Sequence, residues 1–200
     1  MENYQKKLDK IIDGLDSRPR LALHSCCAPC SSYVLEYLSK HFDITLFYYN
    51  PNIYPVSEYE HRLQEQLRLC ELLDIKTYPC IYDPERYFDA VKGLEDEPEG
   101  GVRCAKCFAL RLDYTASLAK QLGFPLLTTT LTISPHKNAP LINTIGEQAA
   151  EKYGITWLPG DFKKKNGYLR SIQLCKEYNI YRQNYCGCKF SIWYNGQDVT

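Results

Sequence analysis

The sequence predicts an α/β fold: one domain built on a parallel, Rossmann-like sheet, with an irregular C-terminal extension. Three observations support it. Short apolar runs alternate with amphipathic stretches of ten or more residues, the pattern of strands joined by right-handed helical crossovers. The chain has 200 residues, enough for one core without staples. Its 44% hydrophobic and 24% charged residues are those of an ordinary globular protein.

The elements follow in order. Residues 2–16 place Tyr4, Leu8, Ile11, Ile12 and Leu15 on one helical face. Arg20–Ser25 reads as a buried strand after Pro19, and Cys26–Pro29 breaks it. Ser31–His41 follows as a helix capped by Ser31 or Ser32. Asp43–Tyr49 is the second strand, and Asn50–Pro55, with two prolines and two asparagines, a loop. Ser57–Leu73 is a helix opened by a Ser57/Glu60 capping box. Ile75–Tyr82 is a third strand, Pro84–Lys92 a short helix and Glu95–Gly101 an acidic connection. Cys104–Leu122 is a long helix stopped by Gly123. Leu126–Thr130 is a fourth strand, Leu131–Asn138 a polar loop, Ala139–Tyr153 a helix stopped by Gly154, and Ile155–Leu158 a last strand. The organisation is thus an N-terminal helix over 1–19, an α/β body over 20–160, and a basic, aromatic segment over 161–200 packed on the same body. Ligands bind beyond the carboxyl ends of parallel strands. Cys26, Asn50 and Leu131 each follow a strand end, so their loops share one edge.

Ten cysteines in 200 residues is high for a chain of this size. The first fourteen residues are charged throughout and hold no apolar signal region, and no stretch approaches the ~18 apolar residues of a membrane span. A cytoplasmic protein is expected, in which clustered cysteines mean metal or redox chemistry rather than structural disulfides. Three clusters stand out: Cys26, Cys27 and Cys30; Cys104 and Cys107; Cys186 and Cys188. Cys70, Cys80 and Cys175 are isolated in apolar or helical patterns and read as buried thiols. The second cluster opens a helix, where unpaired N–H groups favour thiolate. Two thiolates from each of the first two clusters make a four-sulfur set. Adjacent cysteines diverge on one small ion and sit more easily on the separate irons of a cluster. Spacing leaves iron–sulfur, zinc and a thiol redox pair open. In the third cluster, Gly187 lets two sulfurs approach in a strained CxC ring, which reads as a redox pair or as two further ligands.

Asp161–Tyr185 carries Lys163, Lys164, Lys165, Arg170, Lys176 and Arg182 with Tyr168, Tyr178, Tyr181 and Tyr185 interleaved. Cations on phosphates with aromatics on bases are how looped RNA is held, and a solvated basic face is the plainer alternative. A formal net charge of zero means that this positive charge is concentrated, not spread. Lys137, in Ser134-Pro135-His136-Lys137, is a candidate phosphate ligand or proton donor, and His24 reads as a satisfied core histidine. GxGxxG, GxxxxGK[ST] and HExxH are absent, so nucleotide triphosphate use is not supported.

The ordered set LHSCCAPCSS (23–32), RCAKC (103–107), TTLTISPHKN (129–138), FKKKNGYLRS and YRQNYCGC (within 162–188) resembles the QueH family of non-cobalamin epoxyqueuosine reductases, over about residues 20–190. The resemblance implies a fold related to the adenine-nucleotide α-hydrolase (HUP) architecture. It implies reduction of epoxyqueuosine to queuosine at the tRNA wobble position, on a [4Fe-4S] cluster held by Cys26, Cys27, Cys104 and Cys107. Cys186 and Cys188 match the family's redox-active disulfide, and Cys30 stands where a further iron beside the cluster would find a ligand. Expected partners are the anticodon loop, gripped by Lys163, Lys164, Lys165, Arg170 and Arg182, and an electron donor that the sequence does not identify; no membrane is expected. Lys137, His136 or a tyrosine is the expected proton donor. A tRNA thiolation enzyme and a zinc-stabilised RNA-binding module are the alternatives. The tail over 192–200 lies outside the resemblance and has no functional reading; a cap on a surface groove is the plain role for Trp193 and Tyr194.

Overall fold

The computed structural model describes residues 2–192; the expectation for Trp193 and Tyr194 lies outside them. Five parallel strands run in the order β3-β2-β1-β4-β5: β1 Arg20–His24, β2 Asp43–Phe47, β3 Lys76–Tyr78, β4 Leu126–Thr129 and β5 Thr156–Trp157. Successive strands step one way from β1 to β3 and then restart on its other side with β4. The reversal between β1 and β4 is the topological switch point of a doubly wound sheet.

Both faces of β1 are buried, as a parallel sheet requires. Leu21 and Leu23 face one layer and Ala22 the other, each fully buried. The first layer holds α1 (Tyr4–Asp13), α2 (Ala28–Leu38), α3 (Val56–Leu72) and α7 (Gly167–Glu177), through Leu8, Leu35, Leu69 and Cys175. The second holds α5 (Val102–Gln121) and α6 (Ala139–Tyr153), through Leu112 and Ile142. Fully burying a leucine contributes about 1.5–3 kcal/mol, so this doubly covered strand anchors everything that follows it. The short α4 (Pro84–Ala90) and α8 (Lys189–Ile192) pack near the N-terminus of α5 through Tyr87, Cys107 and Cys188.

Several boundaries differ from the sequence expectation. Helix α2 starts at Ala28, three residues early, with Cys27 as its N-cap and Pro29 in its first turn. Pro is tolerated there because its missing N–H has no partner to lose. Ser31 is instead a buried tie: its hydroxyl and that of Ser25 both donate to Gln66 Oε1 at 2.7 Å. Helix α3 starts at Val56 with no side-chain cap, so the Ser57/Glu60 box does not form. The third strand shrinks to Lys76–Tyr78, because as the edge it pairs with β2 alone. The polar loop begins as a buried 3-10 turn, Thr130–Ile133, held by Leu131 N–H donating to Thr129 Oγ1 at 3.2 Å. The stops at Gly123 and Gly154 stand, both left-handed.

Candidate metal and redox site

The carboxyl edge at the switch point opens into a cavity of about 580 Å³. Strand β1 delivers Cys26 and Cys27 to its floor, and the first turn of α2 adds Cys30. The sulfur atoms of these three lie within 4.8 Å of one another, with Cys26 Sγ to Cys27 Sγ at 3.8 Å. The 3-10 turn after β4 fixes the trio from the side: Cys26 N–H donates to Thr130 Oγ1 at 3.1 Å, and Cys26 Sγ lies 3.4 Å from the same oxygen. Thiol hydrogen bonds from Cys27 and Cys30 hold the Cys26 thiol well below its ordinary range, with Lys137 and Arg111 adding to the shift. The same proximity to Cys26 pushes Cys27 up to about 12 and Cys30 well up. The trio thus stabilises a single thiolate until a cation displaces the remaining protons.

Helix α5 brings the second cluster. Cys104, near its N-terminus, accepts from Gly100 N–H at 3.2 Å. Cys107 is buried, which pushes its thiol up to about 12. Their sulfurs stand outside the 4.8 Å group of the first cluster. The first turn of α5 is positioned by Arg103, buried, which donates to the Leu94, Glu95 and Glu97 carbonyls and folds the acidic connection back on itself.

The third cluster closes the cavity. Cys186 lines it, while Cys188 is buried behind, its Sγ 2.8 Å from Tyr87 Oη. All ten cysteines are free thiols in this structure. The Cys-Gly-Cys loop is clamped by an antiparallel bridge between Ile53 and Cys188 and by Tyr54 N–H donating to Gly187 O at 2.8 Å. Arg62, paired with Glu58 at 2.7 Å, donates to Cys186 O at 3.2 Å and packs over the Tyr185 ring.

Lys137 lines the cavity. Burial disfavours its charge, but the Cys186 and Cys26 sulfurs outweigh that and hold the ammonium above its usual range. His24 is buried and satisfied, by Thr129 Oγ1 at 2.7 Å and Tyr49 O at 3.3 Å, as expected of a core histidine. Cys70 and Cys175 are buried, and Cys80 is half-buried.

The basic segment is divided. Arg182 reaches the cavity with Tyr168 and Tyr185. Lys163 pairs with Asp161, Lys165 with Asp9, and Arg170 with Glu36 and Glu177. Lys164 is exposed and forms no ion pair among the described residues.

Sequence reasoning missed Arg111, Asn52 and Tyr87, and placed Asn50 at the edge without giving it a role. Arg111 lies seven residues after Cys104 and four after Cys107, on the same helical stripe, a legible signal. Asn50 accepts from Arg111 Nη2 and donates to Ser25 O at 2.9 Å. Asn52 lines the cavity, and its buried Oδ1 has no partner among the described residues. Nothing in the sequence pairs Tyr87 with Cys188.

A doubly wound sheet with cysteine clusters at its switch point and no glycine-rich phosphate loop offers soft thiolate ligands where such sheets bind their ligands. Two solved structures share this fold: a U34-tRNA thiolase from Methanococcus maripaludis with its [4Fe-4S] cluster (TM-score 0.53, 14% identity, covering 90% of this chain and 64% of that one) and an NMN synthetase from Francisella tularensis (TM-score 0.52, 15% identity, 98% and 87%). At such identities they show the fold alone. The family described as epoxyqueuosine reductase QueH matches residues 21–193, and the chain belongs to that family. Relatives of that description are 43% identical in Streptococcus pyogenes (100% of this chain, 80% of the relative), 44% in Staphylococcus epidermidis (98% and 87%) and 38% in Thermotoga maritima (85% and 88%).

Proposed function

We infer that the chain is an oxidoreductase that reduces epoxyqueuosine to queuosine in tRNA. The observation that carries this is the family match over residues 21–193, which spans all three cysteine clusters. The donor set suits an iron–sulfur group. It offers soft thiolate ligands and two cations, Arg111 and Lys137, that have no ion-pair partner among the described residues. In the finer reading, Cys26, Cys27, Cys104 and Cys107 hold a [4Fe-4S] cluster, and Cys30 is the ligand for one additional iron.

The reaction breaks both C–O bonds of an epoxide, leaves an alkene and releases the oxygen as water. It consumes two electrons and two protons. When bound, the cluster supplies electrons one at a time. The Cys186 and Cys188 dithiol stores two electrons and two protons and releases them on closing to a disulfide, which an external reductant reopens. Lys137 stands in the same cavity as a proton donor to the departing oxygen. The cavity falls within the ~300–1,000 Å³ of small-ligand sites and admits an extruded nucleoside, not a duplex. Arg182, Tyr168 and Tyr185 at its wall meet the anticodon loop. A thiolation reading would need a phosphate loop after β1, and Cys26-Cys27-Ala28-Pro29-Cys30 stands there instead.

The test is to incubate anaerobic protein with epoxyqueuosine-containing tRNA and a reductant and to analyse the nucleosides. Queuosine is expected, and its absence overturns the activity. The purified protein should absorb broadly near ~400 nm and carry about four irons per chain; colourless protein with one zinc overturns the cofactor. Cys186→Ser should keep the iron and abolish turnover, and full activity would remove the pair from the mechanism.

A further inference from the structure

Three arginines are buried among the described residues: Arg62, Arg103 and Arg111. Two have ordinary partners. Arg62 pairs with the Glu58 carboxylate, and Arg103 is spent on three backbone carbonyls. Arg111 differs. Among the described residues its guanidinium hydrogen-bonds only the Asn50 side-chain oxygen and, at 3.8 Å, Cys107 Sγ. Like that of Arg103, its Nε has no partner and no carboxylate lies within ion-pair distance among the described residues, but Arg111 has no backbone carbonyls in their place. An uncompensated buried charge costs several kcal/mol, so the fold retains this one against its own stability.

The placement says what compensates it. Cys104, Cys107 and Arg111 share one stripe of α5, and Arg111 ends at the cavity wall. From the opposite side, Asn50 ties the guanidinium to Ser25, the residue that precedes Cys26. Arg111 therefore lies between the two cysteine clusters, with Cys107 Sγ at 3.8 Å and the Cys26 sulfur also acting on its charge. We propose that Arg111 is a positioning residue: a fixed counter-charge for the thiolate-held iron–sulfur group that raises its reduction potential. This rests on the cofactor reading above. Four thiolates leave such a cluster with net negative charge, and reduction adds one more. A nearby cation and a hydrogen bond to a ligand sulfur both favour the reduced state.

The experiment compares wild type, Arg111→Met and Arg111→Lys, each as metal-free and as anaerobically reconstituted protein. Thermal melting reads the former, iron content and an EPR-monitored redox titration the latter. Metal-free Arg111→Met should melt at or above wild type, since an unpaired charge has been replaced by a side chain of similar length. Its cluster should be reduced at a clearly lower potential, with Arg111→Lys closer to wild type. Failure of Arg111→Met alone to retain iron, with its metal-free form still folded, supports the same role. An unchanged potential in Arg111→Met, equal shifts in both variants, or a marked drop in the melting of metal-free Arg111→Met each overturn it; the last would make Arg111 a packing residue. A wild-type protein without iron would instead overturn the cofactor reading.

Discussion

Gly187 shows how one residue shapes the Cys-Gly-Cys loop. Its φ of +100° lies where side chains are rarely accepted. An added Cβ would come within 2.8 Å of Arg62 Nη1 and 3.0 Å of Ile53 Cγ1. Gly187→Ala should therefore leave the fold and iron content intact while displacing Cys186 and Cys188. Misplacement of a reacting group by about 1 Å costs on the order of 10²-fold, so single-turnover rates should fall by that order, and a wild-type rate would sink the clamp. A glycine between two cysteines is visible in the sequence. That Arg62, from α3, holds the loop's carbonyls is not, because 124 residues separate Arg62 from Cys186.

Two contacts at the scale of elements are open to measurement. Gly146 of α6 lies against the Trp157 ring of β5, which an added Cβ would meet at 2.4 Å. Trp157 is held there by its indole N–H donating to Asn143 Oδ1 at 3.0 Å. Gly146→Ala should cost about 2 kcal/mol through overpacking, read by denaturant unfolding; no loss would mean that the ring yields freely. The second contact joins α1 to the C-terminal segment. Asp9 accepts from Gln5 at 3.1 Å and Tyr37 at 3.0 Å and pairs with Lys165 at 2.7 Å. Burial opposes its charge, but bonds from Lys165, Gln5 and Tyr37 prevail and hold the carboxyl below its usual value. The folded state thus binds this proton less readily than the unfolded chain. The stabilisation is complete above about pH 4, the unfolded value, and is lost as pH falls through the lower folded one. The melting advantage of wild type over Asp9→Asn should stay constant from pH 7 to 5 and shrink below pH 4. A constant difference down to pH 3 would remove Asp9 from the acid response.

For the whole molecule, the question is how a neutral chain holds a polyanion. Much of its positive charge is already spent. Lys163, Lys165 and Arg170 are ion-paired, whereas Lys164 and Lys176 are exposed and unpaired among the described residues. If this face meets the anticodon arm, Lys164→Ala should weaken tRNA binding. It should also lower the slope of log affinity against log salt by about 0.7 per lost phosphate contact. Lys165→Ala, already satisfied by Asp9, should change the slope little. Equal effects would mean that the ion pair opens on binding. No helix among the described residues is long and apolar enough to cross a membrane.

Sequence periodicity alone determined the alternation of strands and helices, the parallel sheet, and the delivery of Cys26, Asn50 and Leu131 to one edge, because hydrophobic pattern and crossover handedness are local or nearly local constraints. It also separated ten cysteines into three clusters and three isolated thiols, of which Cys70 and Cys175 are indeed buried. The caps at Ser31 and Ser57 were misjudged because a buried glutamine and a proline-led turn outcompete local capping chemistry. What only the tertiary structure decided is which groups face the sulfurs. The Tyr87 hydroxyl on Cys188, the Arg62 clamp and the Arg111 guanidinium between two clusters are contacts across 101, 124 and 61 residues of chain. No periodic pattern carries such pairings; the sheet order and the packing of α3, α4 and α5 around its carboxyl edge create them.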